Sequence, residues 1–457
     1  MAGDLINGDI PDHWEFTTLG EICQRGGGNI QTGPFGSQLH ASDYVPVGVP
    51  SIMPTNIGEN RIVEDGIVRI TEEDANRLGQ HRLRAGDIIY SRRGDVEKRA
   101  LIREREEGWF CGTGCLKVRL GSGVVDPLFA SLFLGHPAIR EWIVRHAVGA
   151  TMPNLNTTIM SAVPFALPPL AEQKAIAAVL GALDDKIELN RRMNATLEAM
   201  AQALFQSWFV DFDPVRVKLD GRPPAALDPA TAALFPASFQ DSTLGHIPKG
   251  WEVGTLGSIL DVLETGRRPK GGVGSYTSGV PSVGAESING IGVFDYSKTK
   301  YIPPEFFEKT SSGRVVHFDV LLYKDGGKPG EFRPRVGLFG HDFPFKTFCI
   351  NEHVFRMRSV RAGQSFLFFT TSHQRVLDDF ANKGGKAAIP GINQPDVKST
   401  PIVLPPKEIT DAFNARADLL CDQILHNAIQ SRTLATLRDA LLPKLLSGEL
   451  ITTDTNL

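Results

Sequence analysis

Residues 154–180, "NLNTTIMSAVPFALPPLAEQKAIAAVL", return in altered form at residues 393–419, "NQPDVKSTPIVLPPKEITDAFNARADL". The three prolines of the first stretch recur in the second at one constant offset, so that Pro164 becomes Pro401 and Pro168 becomes Pro405. Internal repetition at a fixed offset is typical of duplicated structural units. This pair of stretches therefore decides how the rest of the chain is divided.

The beginning of each repeat shows the same offset. The stretch "IPDHWEFTTLGEI" at 10–22 returns as "IPKGWEVGTLGSI" at 247–259. Pro11 thus matches Pro248, and Trp14 matches Trp251, with the spacing that relates the prolines at the far end. Two units of nearly equal length, with the same beginning and the same end, follow one another along the chain.

Between these flanks the two copies diverge. Tyr90 in "AGDIIYSRRGD" best matches Tyr323 in "FDVLLYKDGGK" at a smaller offset, and Arg119 best matches Arg358 at a larger one. A repeated frame with a different interior suggests one task carried out twice on different targets. The alternative is a duplicated structural domain whose loops have drifted.

A long helix is predicted to follow each repeat. From Leu170 to about Phe209 no proline interrupts the chain, and seam residues recur at alternating spacings of four and three, as in a coiled coil. The second seam keeps the pattern except at Arg438. Helices of roughly 40 residues extend about 60 Å and cannot bury a seam alone, so the two helices are predicted to pair.

Polar residues lie in the middle of both seams. In an antiparallel pair Asn190 would face Ser431 and Asn194 would face Asn427. A parallel, in-register pair would also match polar with polar, so the pattern alone does not fix the direction. If the helices were instead buried separately, Asn190 and Asn194 would need local partners.

Composition sets the outer limits. The 457 residues suggest two or more domains, and 42% hydrophobic with 22% charged residues is typical of a soluble globular protein. No stretch is long enough to cross a bilayer, no export signal is visible, and five cysteines indicate reduced thiols in a cytoplasmic protein. Cys111 and Cys115 could begin a metal site, but no second ligand pair lies nearby. A net charge of -4 neither supports nor excludes nucleic acid.

The order of these parts resembles the specificity subunit of a type I restriction-modification system. Each unit opens with "IP..WE...LG.I" and closes with "P..LPP" before a long helix. The resembling stretches are "LPPLAEQKAIAAVLGALDDKIELNRRMNATLEAMAQALFQSWFVDFDPVR" at 167–216, "TGPFGSQLHASDY" at 32–44, "VPSIMPTNI" at 49–57 and "LRDALLPKLLSGEL" at 437–450. In that family the divergent units are target recognition domains, each reading half of a bipartite DNA site. The paired helices act as a ruler and as the docking surface for methyltransferase subunits.

The resemblance implies an α+β fold with two tandem target recognition domains, each mixed α/β. They are separated by a long two-helix coiled coil, antiparallel if a pseudo-two-fold axis relates the repeats. The predicted division is a first recognition domain at 1–168, a central long helix at 169–212, a linker at 213–246, a second recognition domain at 247–405, a distal long helix at 406–450 and a tail at 451–457. The second unit departs from the pattern where Phe318 precedes Asp319, since Gly86 precedes Asp87 in the first.

The resemblance also implies partners. These are double-stranded DNA, methyltransferase subunits that bind S-adenosylmethionine, and restriction subunits with translocase and nuclease activity, with no membrane involved. The chain itself shows no catalytic motif: none of its four Pro-Pro pairs follows the Asn or Asp of an amino-methylation motif, and Lys386 precedes Ala387 where a phosphate-binding loop needs Ser or Thr. We therefore expect a non-catalytic subunit. The alternatives are a coiled-coil scaffold or adaptor without sequence-specific DNA reading, and an enzyme with an unrecognised site.

The predicted DNA contacts are basic and polar side chains on glycine-rich turns, because Arg can read guanine or hold phosphates and Gln or Asn can read adenine. In the first unit they are Gln31, Ser37, Gln38, Asn56, Arg92 and Arg93. In the second unit they are Arg267, Arg268, Lys270, Lys324, Lys328 and Arg333. Singly, each could be a solvated surface residue, but clustering at matching places favours DNA. Trp14, Trp251 and "FLFFTT" at 366–371 are predicted to fill the core.

Overall fold

The computed structural model of the protein describes residues 11–149, 151–224, 227–326, 330–340, 342–385 and 390–450. The chain divides into two compact units. The first contains residues up to Asp185 together with those from Leu434 onward, and the second contains Lys186–Thr433. Each long helix therefore contributes one part to each unit.

The first unit contains two four-stranded sheets among its described residues. The main sheet is antiparallel, with strand order Gly27–Thr32, Cys115–Gly121, Ile88–Ser91 and Arg99–Leu101. The other sheet has the order Tyr44–Val45, Val68–Ile70, Val49–Ile52 and Phe110–Cys111, and its last pair is parallel. The short helices are Leu19–Arg25, Glu72–Arg77, Pro127–Phe133, Pro137–His146 and Thr157–Ser161.

Aromatic and aliphatic side chains from the sheet, the short helices and the long helices form the core of this unit. The rings of Phe133 and Phe165 lie 4.2 Å apart, and both are fully buried. Ile176 and Leu180 of the first long helix and Leu445 of the second are buried in the same cluster. Burial of each such side chain contributes about 1.5–3 kcal/mol, so this end of the helix pair and the sheet form one core.

The second unit is built on the same plan. Its main sheet has the order Val262–Thr265, Val354–Arg358, Asp319–Tyr323, Val336–Phe339 and Gly290–Ile291. The smaller sheet has the order Lys300–Ile302, Val280–Val283 and Cys349–Ile350. The short helices of its interior are Pro304–Lys309, Gln364–Ser372, Gln374–Gly384 and Gln394–Lys398. The predicted α+β class, with mixed units and long helices, is confirmed.

The matching flanks of the repeat form the same joint in both units. Strand Glu15–Thr18 pairs antiparallel with Pro164–Leu167, and strand Glu252–Thr255 pairs in the same way with Pro401–Leu404. In both cases the glutamate lies opposite the leucine at the far end. The constant offset between the flanks therefore reflects one structural feature, in which the beginning of each unit pairs with its end.

The interiors match through a buried ion pair. Asp87 Oδ2 accepts from Arg119 at 2.6 Å, and Asp319 Oδ1 accepts from Arg358 at 2.7 Å. The match of Arg119 with Arg358 is the predicted one. The aspartates are separated by a smaller offset than the arginines are. Insertions and deletions inside the unit therefore compensate before its end.

The predicted match of Tyr90 with Tyr323 is wrong by one position. In the second unit Tyr323 lies opposite Val354, and in the first unit Ser91 lies opposite Cys115. Because Arg119 matches Arg358, Cys115 matches Val354, and Tyr323 therefore corresponds to Ser91. Because successive residues of a strand face opposite sides, the two tyrosines project from opposite faces of their sheets.

The turn before each buried aspartate has the same backbone in both units. The residue immediately before the aspartate has a left-handed backbone in both units, with φ of 87° at Gly86 and 59° at Phe318. The departure from glycine in the second unit thus leaves the turn geometry unchanged.

The long helices are Leu170–Phe209 and Lys407–Leu446, each of 40 residues. The second passes through Pro443 and ends before Gly448, whose φ is 75°. Both helices are slightly shorter than the predicted 169–212 and 406–450. The prediction that a long helix follows each repeat is confirmed.

Within the second unit the helices run antiparallel. Asn190 Nδ2 donates to Ser431 Oγ at 3.2 Å, and Asn427 Nδ2 donates to Asn194 Oδ1 at 2.8 Å. As the residue number rises along the first helix, the number of its partner on the second helix falls, as an antiparallel pair requires. The parallel and the separately buried arrangements are ruled out by these contacts. Asn190, Asn194 and Asn427 each make a hydrogen bond to the facing helix, while Asn190 Oδ1 is buried without a partner among the described residues.

The predicted linker at 213–246 has secondary structure of its own. It contains helices Asp213–Leu219 and Pro229–Ala233, followed by strand Phe239–Ser242, which pairs with Gly245–Pro248. Asp228 caps the second of these helices and lies 2.8 Å from Arg416 of the second long helix. The connector is thus a folded element of the second unit.

The predicted core aromatics are buried. Trp14, Trp251 and Phe366 are each less than 5% exposed. The five cysteines are buried free thiols, and burial raises the pKa of Cys111 to about 12. Among the described residues no group of three potential ligands surrounds a metal position, and no described helix is long and apolar enough to span a membrane.

Candidate nucleic-acid interface

In the first unit, the turn after strand Gly27–Thr32 lies beside the end of strand Ile88–Ser91. The guanidinium carbon of Arg92 lies 5.7 Å from the ring centroid of Phe35, and Arg92 Nε donates to the Leu155 carbonyl at 3.2 Å. The main chain of Arg92 is held on both sides, since its N–H donates to the Gly114 carbonyl at 2.8 Å and its carbonyl accepts from Leu155 at 2.9 Å. The burial of Arg92, together with the charge of Arg93, lowers its pKa. Arg92 is a fixed cation on an aromatic ring.

The neighbours of Arg92 are accessible to a large ligand. Phe35 is 56% exposed, and Ser37 and Arg93 are exposed as well. Arg93 has no ion-pair partner within the described ranges. Gln38 is partly buried, and its Oε1 accepts from the Phe35 main chain at 3.0 Å, which leaves its Nε2 group for another acceptor. The turn at 33–38 and the end of the strand thus form one surface of cations, amide and aromatic ring.

Asn56 is not a DNA contact, and the prediction that it is one is wrong. Its side chain is buried, with 1% exposure. Its Oδ1 accepts from the Met53 main chain at 3.1 Å, and its Nδ2 donates to the carbonyls of Val63 at 3.0 Å and Asp65 at 3.2 Å. The amide is engaged through both of its polar atoms inside the protein, so Asn56 stabilises the turn in which it lies.

Gln31 lies on the main sheet and marks a difference between the two units. It is paired with Lys117 in the neighbouring strand, and Lys117 is buried with its Nζ donating to the Gln80 carbonyl at 2.7 Å. The same place in the second unit holds Glu264 opposite Arg356, and the two side chains are 2.7 Å apart. Gln31 is only partly buried, so it stays a candidate at a place where the second unit has an ion pair.

In the second unit Lys324 occupies the place of Arg92. Its N–H donates to the His353 carbonyl at 2.9 Å, and its carbonyl accepts from Ile392 at 2.9 Å. These are the hydrogen bonds that Arg92 makes with Gly114 and Leu155, repeated by the equivalent residues. The structure therefore brings predicted candidates of both units to equivalent positions at the end of equivalent strands.

The surroundings of Lys324 are acidic. Its Nζ lies 2.7 Å from Asp325 Oδ2 and donates to the Glu352 carbonyl at 3.3 Å. Arg268 Nε lies 2.7 Å from Glu352 Oε1, and His353 Nε2 lies 3.3 Å from the same oxygen. Burial opposes the charge of Asp325, but hydrogen bonds from Lys324 and His353 outweigh it, so the pKa of Asp325 is lowered. Here two cations are held by carboxylates, and Lys324 Nζ also lies 5.9 Å from the ring centroid of Phe355, whereas Arg92 of the first unit has a ring contact but no ion pair within the described residues.

The remaining candidates of the second unit lie on the surface around this cluster. Arg267 and Lys270 are exposed and have no ion-pair partner in the part of the chain that the structure describes. Arg333 is exposed, and its Nε donates to Glu331 Oε1 at 2.7 Å. This carboxylate partly neutralises the charge of Arg333. Lys328 lies outside the described residues.

Glu352 and His353 belong to the candidate surface of the second unit but are not among the predicted basic and amide side chains. They lie in the turn between strands Cys349–Ile350 and Val354–Arg358. The offset that relates Arg119 to Arg358 would have placed this turn at "GTGC" of the first unit, beside the candidate surface. Position in the repeat, rather than residue type, is the signal that identifies them.

Comparisons with known proteins agree with this architecture. Residues 11–199 match the family model described as the type I restriction modification DNA specificity domain. The chain is 25% identical to the type I restriction enzyme MjaIX specificity subunit of Methanocaldococcus jannaschii, over 97% of this chain and 95% of the relative. It is also 25% identical to the HindI specificity subunit of Haemophilus influenzae, over 88% of this chain and 95% of the relative.

A solved structure shows the same fold over almost the whole chain. The crystal structure of the S subunit of a type I restriction-modification system from M. genitalium superposes with a TM-score of 0.57 at 14% identity. The match covers 96% of this chain and 97% of that chain. With the matched domain and with relatives matched over nearly their full length, these findings show that the chain is similar to specificity subunits of type I restriction-modification systems.

Proposed function

We propose that the chain is the non-catalytic, sequence-specific DNA-binding subunit of a type I restriction-modification complex. Each unit reads one half of a bipartite target in double-stranded DNA. We assign the reading to the predicted recognition domains at 1–168 and 247–405. The paired long helices set the gap between the half-sites and bind methyltransferase subunits.

One observation carries the proposal: the same main-chain frame holds different side chains at the same place in both units. Arg92 on Phe35 corresponds to Lys324 beside Asp325, with equivalent main-chain hydrogen bonds. Sequence is read by side chains that contact base edges, while a constant frame fixes how they approach the duplex. A repeated frame with changed side chains is what a reader of two different half-sites requires.

The chemistry of the surface supports DNA as the ligand. Arg92 is fixed and partly shielded, which suits contact with a base edge, whereas Arg93 is exposed and suits a phosphate. In the second unit carboxylates lie among the cations, and Glu or Asp can accept from the amino group of cytosine. A coiled-coil scaffold or adaptor would have no need for different side chains at the equivalent turns of the two units.

Catalysis belongs to other chains in this proposal. The relatives are named as specificity subunits of restriction enzymes, so methylation and cleavage are assigned to methyltransferase and restriction partners. S-adenosylmethionine is bound by the methyltransferase partner. Because the assembly acts on the DNA of the cell, we assign the chain to the cytoplasm.

Mapping of modified bases tests the proposal. The chain is expressed with its methyltransferase partner in a host that lacks other modification systems, and genomic DNA is sequenced by a method that detects methylated bases. We expect a single two-part motif with a fixed gap, absent when either protein is omitted. Modification that does not depend on this chain, or a continuous motif without a gap, would contradict the proposal.

A further inference from the structure

Arg438, the residue that interrupts the second apolar seam, lies in a set of ion pairs in the first unit. Arg438 NH1 lies 2.8 Å from Asp184 Oδ1 of the first long helix, and its NH2 lies 3.4 Å from Glu59 Oε1. The side chains of Arg438 and Asp184 are only 15% and 12% exposed. Glu59 of the recognition domain thus contacts Arg438, which already forms an ion pair between the two long helices.

Two further arginines of the domain contact the first long helix at the same level. Arg61 NH2 lies 2.9 Å from Asp185 Oδ1 and donates to the Asp184 carbonyl at 3.3 Å. Arg103 NH1 lies 3.6 Å from Asp185 Oδ1. We call this set the clamp, and it consists of Glu59, Arg61, Arg103, Asp184, Asp185 and Arg438.

The clamp lies at the far end of the contact between this domain and the first long helix. The contact begins near the start of the helix, where Gln173 Oε1 accepts from the Asp126 main chain at 2.8 Å, and continues through Ile176 and Leu180, which are buried in the core. Gln173 and Asp184 are separated along the helix axis by about 16 Å at about 1.5 Å per residue. The clamp extends the contact over this length, and a longer contact opposes a pivot of the domain about the start of the helix.

The second unit makes the corresponding attachment through different side chains. The turn Pro54–Asn56 before Glu59 corresponds to Ala285–Ser287, and residues that follow the latter contact the second long helix. The guanidinium of Arg432 lies 4.1 Å from the ring centroid of Tyr296, and a Cβ on Gly292 would lie 2.8 Å from Ile424. Close packing and a cation on a ring therefore contribute to this attachment in the second unit.

We infer that the clamp is a positioning element, which fixes the angle of the first recognition domain on the helix pair and so limits the gaps between half-sites that the protein accepts. This inference rests on the proposed function. Ion pairs of partly exposed groups weaken as salt screens them, whereas packing contacts do not. The contribution of the clamp to the placement of the first domain therefore depends on salt.

The test uses the full-length chain with its methyltransferase partner and a library of DNA targets. Every target carries both half-sites, and the gap is varied by one base pair at a time around the preferred length. The variant Glu59→Gln/Arg61→Gln removes two of the charged side chains that the recognition domain contributes to the clamp. It leaves the ion pair of Arg438 with Asp184 in place. The matched control is Lys407→Gln, which removes an exposed ion pair within a single helix, to Asp411 at 2.7 Å.

We expect the variant to modify the same half-sites but to discriminate less between gaps. The ratio of modification at the preferred gap to that at a gap one base pair longer should fall about tenfold, which corresponds to about 1.4 kcal/mol of discrimination. The control should keep the ratio of the unmodified protein. Loss of overall activity with an unchanged ratio would indicate a merely structural role and overturn the inference.

A second measurement decides the question if the variant does not fold. The unmodified protein is assayed at low and at high salt, and the same ratio is taken, so that weaker DNA binding at high salt cancels. A falling ratio supports the clamp, and a constant ratio overturns it. If the unmodified protein shows no gap preference at all, the proposed function fails, and that result is distinguishable from failure of the clamp alone.

Discussion

Arg92 and Arg93 are adjacent in sequence, but the structure predicts that their replacement has different effects. Arg92 is held by the Leu155 carbonyl and by the ring of Phe35, so its guanidinium has a defined direction. Arg93 is exposed and free of ion pairs within the described residues. We therefore predict that Arg92→Ala relaxes the choice of one base in the first half-site, whereas Arg93→Ala weakens binding to every sequence.

The sizes of the two effects follow from the kind of contact. Loss of a base contact by Arg92 should cost about 1–3 kcal/mol on the correct target, or about five- to 150-fold in affinity, and much less on a target already changed at that base. Loss of a phosphate contact by Arg93 should lower the slope of log affinity against log salt by about 0.9. The hydrogen bond and ring contact that Arg92 loses should cost about 1 kcal/mol of folding stability.

Fluorescence anisotropy provides the assay. The complex with the methyltransferase partner is titrated with labelled duplexes that carry the mapped target or single-base changes in the first half-site, at several salt concentrations. Arg92→Lys serves as the conservative control, because it keeps the charge but loses the two-pronged donor geometry. It should keep the salt slope and lose base discrimination.

Two results would refute this reasoning. If Arg92→Ala lowered affinity equally on all duplexes, Arg92 would be a phosphate contact and the structural distinction would be wrong. If neither substitution changed affinity, discrimination or slope while thermal unfolding showed a folded protein, the surface around Phe35 would not face DNA.

Other predictions concern stability and spacing. Asn194→Leu leaves Asn427 Nδ2 without its acceptor and should cost about 1–3 kcal/mol in unfolding free energy, while replacing both by Leu should recover most of it; an unaffected single variant would contradict this. Asp319→Asn weakens two ion pairs, to Arg356 and Arg358, and should lower the unfolding temperature more than a surface substitution does. One heptad inserted after Asn194 and another before Asn427 add about 10 Å of helix. At about 3.4 Å per base pair, methylation mapping should show a gap about three base pairs longer. An unchanged gap in an active variant would show that the paired helices do not set the gap between the half-sites.

Repetition and heptad spacing predicted most of the architecture because both are set by burial. The seam identified both long helices, and its polar residues gave the correct antiparallel partners once Asn190 was found opposite Ser431. The seam could not choose the direction, since the polar residues match in either. Only contacts between the helices resolve that ambiguity.

The interior of each unit was less predictable for a physical reason. Short, fully buried strands such as Ile88–Ser91 carry buried residues on both faces, so no alternation fixes their register. The match of Tyr90 with Tyr323 therefore went wrong by a single position. The buried aspartates at Asp87 and Asp319, each paired with an arginine, were the better guide.

The candidate site was predicted as a region but not residue by residue. The glycine-rich turns around Phe35 and Arg92 carry cations and amides at or near the surface, and their contact with DNA stays a prediction. Sequence alone could not distinguish Asn56, whose amide closes a tight turn, from an amide on the surface. Glu352 and its neighbour His353 were not predicted, because acidic groups are not expected on a candidate DNA-binding surface until their positions among the cations are known.

The central claim is that the two units read separate halves of one target, and exchange of a single unit tests it most directly. Residues 247–405 are replaced by the equivalent segment of a related specificity subunit, which keeps strands Glu252–Thr255 and Pro401–Leu404 together and preserves their joint. Methylated bases are then mapped with the methyltransferase partner present. We predict that one half of the motif changes while the other half and the gap are retained. A change in both halves, or in neither, would contradict the claim.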